Sequence, residues 1–133
     1  NSMVQRPDEK RDSSSPDAGA PPDFLRLAEG EFHARLAASS GIAVALFSAP
    51  HCGGCRAWKQ LLPRALAGVA DAFFEVDVSE ATGVARYFDI FHLPTIYLYR
   101  NGRFHAELQC ETRRDAILHA AQRLLAAPAQ EEP

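Results

Sequence analysis

The run Ile42–Ser48 constrains the fold more than any other stretch of this 133-residue chain. Its first six residues are all apolar, with no alternation of apolar and polar side chains. A strand with one face in water alternates, whereas a continuous apolar run is typical of a strand that is covered on both faces. Such a strand needs neighbouring strands and helices above and below it, so the run predicts an α/β protein.

The residues around this run alternate between helical and strand-like patterns. Helices are predicted over residues 31–39, 55–69 (with Pro63 as a kink), 80–88 and from Thr112 onward, and strands over 42–48, 72–78, 95–100 and 103–108. Asn101 and Gly102 predict a tight hairpin turn, and Thr112 with Asp115 predicts a capped helix start. The order βαβαββα predicts a central mixed β-sheet flanked by helices on both faces.

The two ends of the chain differ in composition from its middle. Residues 1–22 and 128–133 are rich in proline and polar residues, so we expect disordered tails around one folded domain over residues 23–127. No signal-peptide pattern opens the chain, which favours a cytoplasmic protein. An exported protein whose leader has been removed is the alternative.

Composition excludes several classes of function. A net charge of −3 argues against binding to nucleic acid, since such proteins carry basic surfaces. The longest apolar stretch, residues 42–50, is much shorter than the ~20 residues that cross a bilayer. Three cysteines are too few for a disulfide scaffold, and their odd number points to cysteine chemistry instead.

Two of these cysteines, Cys52 and Cys55, are separated by Gly53 and Gly54 between the apolar strand and a strongly amphipathic helix. The start of a helix favours an anion, so the Cys52 thiol is expected to have a pKa below the ordinary value of about 8.5 and to be a nucleophile. Cys55 lies one helical turn further on and can attack a mixed disulfide. The glycines allow a tight turn and leave the first sulfur uncovered.

The same residues allow other interpretations. Cys52 and Cys55 could be half of a zinc site, with His51 and Cys110 as further ligands, or could be inert buried residues. A second closely spaced pair of ligands is missing, and His51 directly precedes Cys52, an awkward spacing for chelation. The position of the motif between strand and helix favours a redox dithiol and no metal.

Three segments together resemble the thioredoxin family over residues 23–127. Residues 47–55 read Phe-Ser-Ala-Pro-His-Cys-Gly-Gly-Cys, residues 93–95 read Leu-Pro-Thr before a strand, and residues 99–103 read Tyr-Arg-Asn-Gly-Arg. The resemblance implies a thioredoxin-like fold and a Cys52–Cys55 redox disulfide, with Cys52 attacking and Cys55 resolving. It also implies a cis Pro94 that faces the cysteines, and a Leu93 backbone that pairs with an extended substrate beside Thr95.

The function implied by this resemblance is that of a thiol–disulfide oxidoreductase, a protein-disulfide reductase that needs no metal or cofactor. Its partners would be protein disulfide substrates and an electron donor such as a thioredoxin reductase, with no nucleic acid or membrane, and it would act as a monomer. The alternative is a thioredoxin-like binding or regulatory module in which the dithiol is weakly active or vestigial.

The chain also departs from the family pattern. Thioredoxins usually have tryptophan at the positions of Ser48 and His51, proline at Gly54, and a buried aspartate at Leu46. Glu75 takes the place of the family's buried lysine, and we hypothesise that it is a buried carboxylate that relays protons. A solvated glutamate at the edge of a strand is the alternative.

His51, Cys110 and the remaining histidines each have two interpretations. His51 would stabilise the Cys52 thiolate as an imidazolium, or would be an exposed residue of little effect. Cys110 would be a third, regulatory thiol or a small buried residue. The other four histidines are expected at the surface, and Phe91 with His92 at the rim of the substrate site.

Overall fold

The computed structural model describes residues 23–133, so the predicted N-terminal tail lies outside the described residues. The elements in chain order are β1 (Leu25–Arg26), α1 (Phe32–Ala38), β2 (Ile42–Ser48), α2 (Gly53–Ala65), β3 (Ala72–Asp77), α3 (Thr82–Tyr87), β4 (Thr95–Arg100), β5 (Arg103–Glu107) and α4 (Arg114–Ala126). A 3-10 turn over Glu29–Glu31 leads into α1.

The apolar strand β2 lies at the centre of a mixed five-stranded sheet of order β1-β3-β2-β4-β5. It runs parallel to β3 and antiparallel to β4, and the register places Leu46 beside Glu75 on one side and Ile96 on the other. Six of the seven residues of β2 are buried, because both faces of the sheet are covered. The α/β architecture predicted from the run is therefore confirmed.

Two separate cores cover the two faces of the sheet. Helices α1 and α3 pack on one face around an aromatic cluster that contains Phe32, Phe47, Phe88, Tyr97 and Tyr99. Helices α2 and α4 pack on the other face through Trp58, Leu62, Ile117 and Ala121. The hydrophobic area buried on both faces is the main stabilising contribution to the fold.

The hairpin between β4 and β5 has the turn that its sequence predicts. Asn101 and Gly102 have φ angles of 50° and 83°, and a type I′ turn needs positive values at both positions. Gly102 also lies against the backbone carbonyl of Ala37 in α1, where a Cβ atom would collide with it. The turn thus requires glycine for its backbone angle and for close packing.

Several element boundaries differ from the prediction. Strand β1 was not predicted, because two residues are too few to form a pattern. Helix α2 begins at Gly53 rather than residue 55 and ends at Ala65 rather than residue 69. Helix α4 begins at Arg114, and its N-cap Arg113 makes no side-chain cap bond, so the predicted capping by Thr112 is wrong. Asp115 is instead bonded to the guanidinium of Arg113.

The segment 128–133 forms no helix or strand, yet it lies against β5. The Gln130 N–H donates to the carbonyl of His105 at 2.7 Å, and the Glu107 N–H donates to Gln130 Oε1 at 3.0 Å. An edge strand offers unpaired backbone groups, which explains why a segment predicted as a disordered tail makes these contacts. The domain boundary at residue 127 stays a prediction.

His105 is the histidine whose predicted surface position is wrong. Its side chain is buried, and Nε2 lies 2.8 Å from the carbonyl oxygen of Leu124 near the end of α4. The carbonyl groups of the last helical turn lack intrahelical partners, so an imidazole N–H is a suitable donor to one of them.

The aromatic core gives a testable prediction of stability. Phe47 is fully buried, and its ring centroid lies 5.2–5.8 Å from those of Phe32, Phe88 and Tyr97. We expect Phe47→Ala to lower the free energy of unfolding of the oxidised protein by about 3–5 kcal/mol, measured by denaturant titration.

The matched control is Phe91→Ala, because the Phe91 side chain is 84% exposed. That variant should stay within about 0.5 kcal/mol of the parent protein. Equal losses in the two variants would contradict the assignment of Phe47 to the core.

Candidate active site

The Cys-Gly-Gly-Cys turn joins the carboxyl end of β2 to the start of α2. Cys52 is the N-cap residue of α2, and its Sγ accepts the backbone N–H of Cys55 at 3.1 Å. The two cysteines form a disulfide, with their Cα atoms 5.3 Å apart. Cys52 is partly exposed and Cys55 is buried, so the first sulfur is accessible and the second is shielded.

Pro94 lies directly opposite this turn. The Leu93–Pro94 peptide bond is cis, as predicted, and a Cβ on Gly54 would be 3.6 Å from Pro94 Cδ. The neighbouring Thr95 is buried, and its hydroxyl donates to the carbonyl of His92 at 2.7 Å. Gly53 has open space where a side chain would project. The structure therefore brings Gly54, Pro94 and the disulfide together on one surface.

Glu75 lies on β3, next to Leu46 of β2, and is buried. Lys59 of α2 forms an ion pair with it, Nζ to Oε1 at 2.8 Å, and the Ser48 hydroxyl donates to Oε2 at 3.0 Å. Glu75 is 7% exposed and lies within β3 rather than at its end, so the alternative of a solvated glutamate at the edge of the strand is wrong. Both carboxylate oxygens of this buried group have partners, as burial of a charge requires.

Lys59 is a residue that the sequence reasoning missed. It follows Cys55 by four positions on α2, and residues four apart share one face of a helix. That spacing was a usable signal, because it places a cation on the same face as the second cysteine. The spacing alone does not identify the partner of Lys59, because the contact also requires β3 to place Glu75 under that face of α2.

A polar cleft of about 440 Å³ opens beside the disulfide. Its walls include Cys52, Cys55, Ser48, Ala49 and Pro50 and the charged residues Arg26, Arg56, Lys59, Glu75, Asp77 and Glu80. The Ser79 hydroxyl donates to Asp77 at 2.6 Å and, with the Ser79 N–H and the Arg26 guanidinium, holds the Asp77 pKa below its usual value. The carboxylate of Asp77 is therefore ionised at neutral pH.

The remaining predicted residues lie outside this contact network. His51 is exposed, and within residues 23–133 its side chain makes no hydrogen bond. Cys110 is half-buried against the core formed by α2 and α4, and burial raises the pKa of its thiol. Phe91 projects into solvent beside a cavity that Leu93 also lines.

The described part of the chain lacks two features. Among residues 23–133, no three or more His, Cys, Asp or Glu side chains are grouped so that they could hold a metal ion. In the same range, no helix has both the length and the apolar character that crossing a membrane requires.

Comparisons with known proteins agree with this geometry. The family model described as Thioredoxin matches residues 23–123. Thioredoxin of Gallus gallus is 36% identical over 75 residues, which cover 55% of this chain and 71% of that protein. Thioredoxin-2 of Saccharomyces cerevisiae is 28% identical over 74 residues, again 55% of this chain and 71% of that protein.

A solved structure shares the fold. The zinc-bound form of human ERp44 superposes with a TM-score of 0.64 at 19% sequence identity, and the match covers 77% of this chain and 31% of that one. The fold and the paired cysteines define a thiol–disulfide oxidoreductase. The chain belongs to the thioredoxin family.

The free thiol of the oxidised protein gives a testable prediction of pH dependence. Cys52 and Cys55 form the disulfide, so Cys110 is the remaining free thiol among the three cysteines of the sequence. Burial raises the pKa of the Cys110 thiol. At a pH near the ordinary thiol pKa of about 8.5, we therefore expect iodoacetamide to alkylate Cys110 more slowly than it alkylates a free cysteine. The rate, followed by mass spectrometry, should keep rising at pH values where a free cysteine has reached its plateau.

Alkylation of the same oxidised protein in denaturant is the control, because unfolding removes the burial of Cys110 but keeps the disulfide. The unfolded chain should react with the profile of a free cysteine. An identical profile in the folded protein would contradict the effect of burial.

Proposed function

We propose that the protein is a protein-disulfide reductase in which Cys52 is the nucleophile and Cys55 the resolving cysteine. The observation that carries this assignment is the position of Cys52 as the N-cap of α2, where its sulfur accepts the Cys55 N–H. The positive end of a helix and an N–H donor both stabilise a thiolate, and the thiolate is the reactive form. The partial exposure of Cys52 allows a substrate to reach it.

The reaction begins from the reduced dithiol and transfers two electrons. The Cys52 thiolate attacks one sulfur of the substrate disulfide, so a Cys52–substrate bond forms and the second substrate sulfur leaves as a thiolate that takes up a proton. The Cys55 thiol then loses its proton and attacks Cys52 Sγ. The Cys52–Cys55 disulfide forms, the mixed disulfide breaks, and the remaining substrate thiolate is released and protonated.

The substrate segment is proposed to lie along residues 93–95, opposite the Gly53-Gly54 turn. Support comes from the closeness of this segment to the turn: a Cβ built at Gly54 would be 3.6 Å from Pro94 Cδ, so residues 93–95 adjoin the disulfide. The Leu93 backbone beside it is free of strand pairing, because β4 begins at Thr95. Backbone groups of Leu93 would therefore pair with an extended substrate.

Glu75 is proposed to assist proton transfer, and His51 to stabilise the Cys52 thiolate. Glu75 lines the same cleft as Cys55 and would accept the proton that the Cys55 thiol loses. Its contacts with Lys59 and Ser48 hold the carboxylate in one orientation. His51, exposed next to Cys52, would stabilise the first thiolate when protonated.

The electron donor that regenerates the dithiol is proposed to be a reductase of the thioredoxin-reductase class. The chain has no cysteine pair left for a structural disulfide, which suits a reducing compartment such as the cytoplasm. We propose that the protein acts there as a monomer, because one chain supplies both cysteines and Pro94.

Reduction of insulin by dithiothreitol tests the proposed activity. The parent protein should accelerate the reaction and Cys52→Ser should abolish that acceleration, because the nucleophile is lost. Cys110→Ser is the control and should retain it, since Cys110 packs in the core near α4. No acceleration by the parent protein would reject the reductase and favour a thioredoxin-like binding module.

The role of Glu75 is tested by Glu75→Gln, which keeps the size and removes the proton-accepting carboxylate. We expect the Cys55-dependent release of a pre-formed mixed disulfide to slow about tenfold or more, with an altered pH profile. Stopped-flow measurement of product thiol across pH provides the readout. Glu80→Gln, which lines the same cleft but is exposed, should leave the profile unchanged; an unchanged profile in Glu75→Gln rejects the relay.

A further inference from the structure

The charged side chains that line the cleft beside the disulfide are unequally paired. Lys59 pairs with Glu75, and Arg26 lies 3.7 Å from Asp77 and 3.5 Å from Glu80. Lys59 and Arg26 are therefore each paired with a carboxylate, and each of the three carboxylates of the cleft has a cationic partner. In the part of the chain that the structure describes, the Arg56 side chain makes neither an ion pair nor a hydrogen bond.

Arg56 is the charged residue of the cleft that is nearest in sequence to the cysteines. It directly follows Cys55 and stands four residues after Cys52, at the first turn of α2, and it is exposed. The guanidinium stays charged at every physiological pH and has a geometry that suits carboxylates. The helix start adds positive potential at the same point.

The carboxylates Asp77 and Glu80 share a single arginine. Asp77 lies on β3 beside Ser48, and Arg26 of β1 reaches it at 3.7 Å and Glu80 at 3.5 Å. Arg56 is thus the cation of the cleft that no carboxylate of the described residues neutralises, and it directly follows Cys55.

We propose that Arg56 is a specificity-determining residue that binds an aspartate or glutamate next to the reactive cysteine of the substrate. The inference rests on the proposed reductase function and adds the class of substrate: protein disulfides flanked by acidic residues. The cleft volume of about 440 Å³ is within the range of small ligand sites, roughly 300–1,000 Å³, so one side chain fits inside it.

An ion pair of this kind acts mainly on the encounter with substrate. Complementary charges raise the association rate and discriminate against partners of like charge, and salt weakens both effects. A cation beside Cys52 also acts on the thiolate, and it does so equally for every substrate. The effect of Arg56 on specificity is therefore the change in the ratio of rates between substrates of opposite charge.

The experiment uses the full chain and three synthetic peptide disulfides that are identical except for Glu, Gln or Lys next to the cysteine. Each single-turnover rate with the reduced protein is divided by the rate with dithiothreitol, because a neighbouring charge changes the reactivity of the disulfide itself. The compared proteins are the parent, Arg56→Gln, Arg56→Glu and the control Arg64→Gln. Arg64 is an exposed arginine two turns further along α2 and does not line the cleft.

The parent protein should prefer the Glu peptide over the Lys peptide, and added salt should reduce that preference. Arg56→Gln should lower the ratio of the two normalised rates about threefold, the effect of one exposed ion pair. Arg56→Glu should invert the preference, and Arg64→Gln should match the parent. The rate with the Gln peptide measures, in each protein, the part of the effect that is common to all three substrates, and the Glu and Lys rates are divided by it.

Two results would overturn the proposal. One is a parent protein that reduces the Glu and Lys peptides at equal normalised rates, and the other is a preference that persists in Arg56→Gln. In both cases reduction itself is measurable, so the reductase function stands. A parent protein that reduces none of the three peptides would instead reject the proposed function, and the specificity with it.

Discussion

The hydrogen bond from the Cys55 N–H to Cys52 Sγ is the interaction on which the site depends. The first N–H groups of a helix lack partners, and Ser, Thr, Asp or Asn usually supplies an acceptor there. Here the acceptor is the sulfur that performs the exchange chemistry. The same hydrogen bond therefore caps the start of α2 and favours the thiolate form of Cys52. The residue that begins the helix is also the proposed nucleophile.

The cleft beside Cys52 Sγ is lined largely by polar and charged side chains. Leu46 and Ser48 stand where the family has an aspartate and a tryptophan, and the carboxylate is found one strand away on Glu75. Lys59 is 46% exposed, and an ion pair that solvent reaches contributes little to stability, so the Lys59–Glu75 pair has no evident reason in stability alone. Its position against the cleft that holds the disulfide agrees with the proposed relay through Glu75.

Much of the fold could be predicted because it depends on local pattern. The bounds of β2 and the turn at Asn101 and Gly102 follow from burial on both faces and from backbone angles, which one stretch of sequence determines. The Lys59–Glu75 pair, the cleft and the buried His105 could not be predicted in this way. Each depends on the packing of elements that are distant in sequence, and single-segment periodicity carries no information about such contacts.

The two sides of the disulfide offer a substrate different kinds of contact. On the side of Pro94 the proposed contacts are backbone groups, which every polypeptide shares, so they provide affinity without selecting a sequence. On the side of Arg56 the cleft presents a side-chain charge, which only some sequences complement. Because discrimination needs a contact that differs between substrates, the charge of Arg56 is the proposed source of a preference for acidic substrates. Backbone pairing at Leu93 and charge pairing at Arg56 are thus two separate proposed contributions, one common to all substrates and one specific to some.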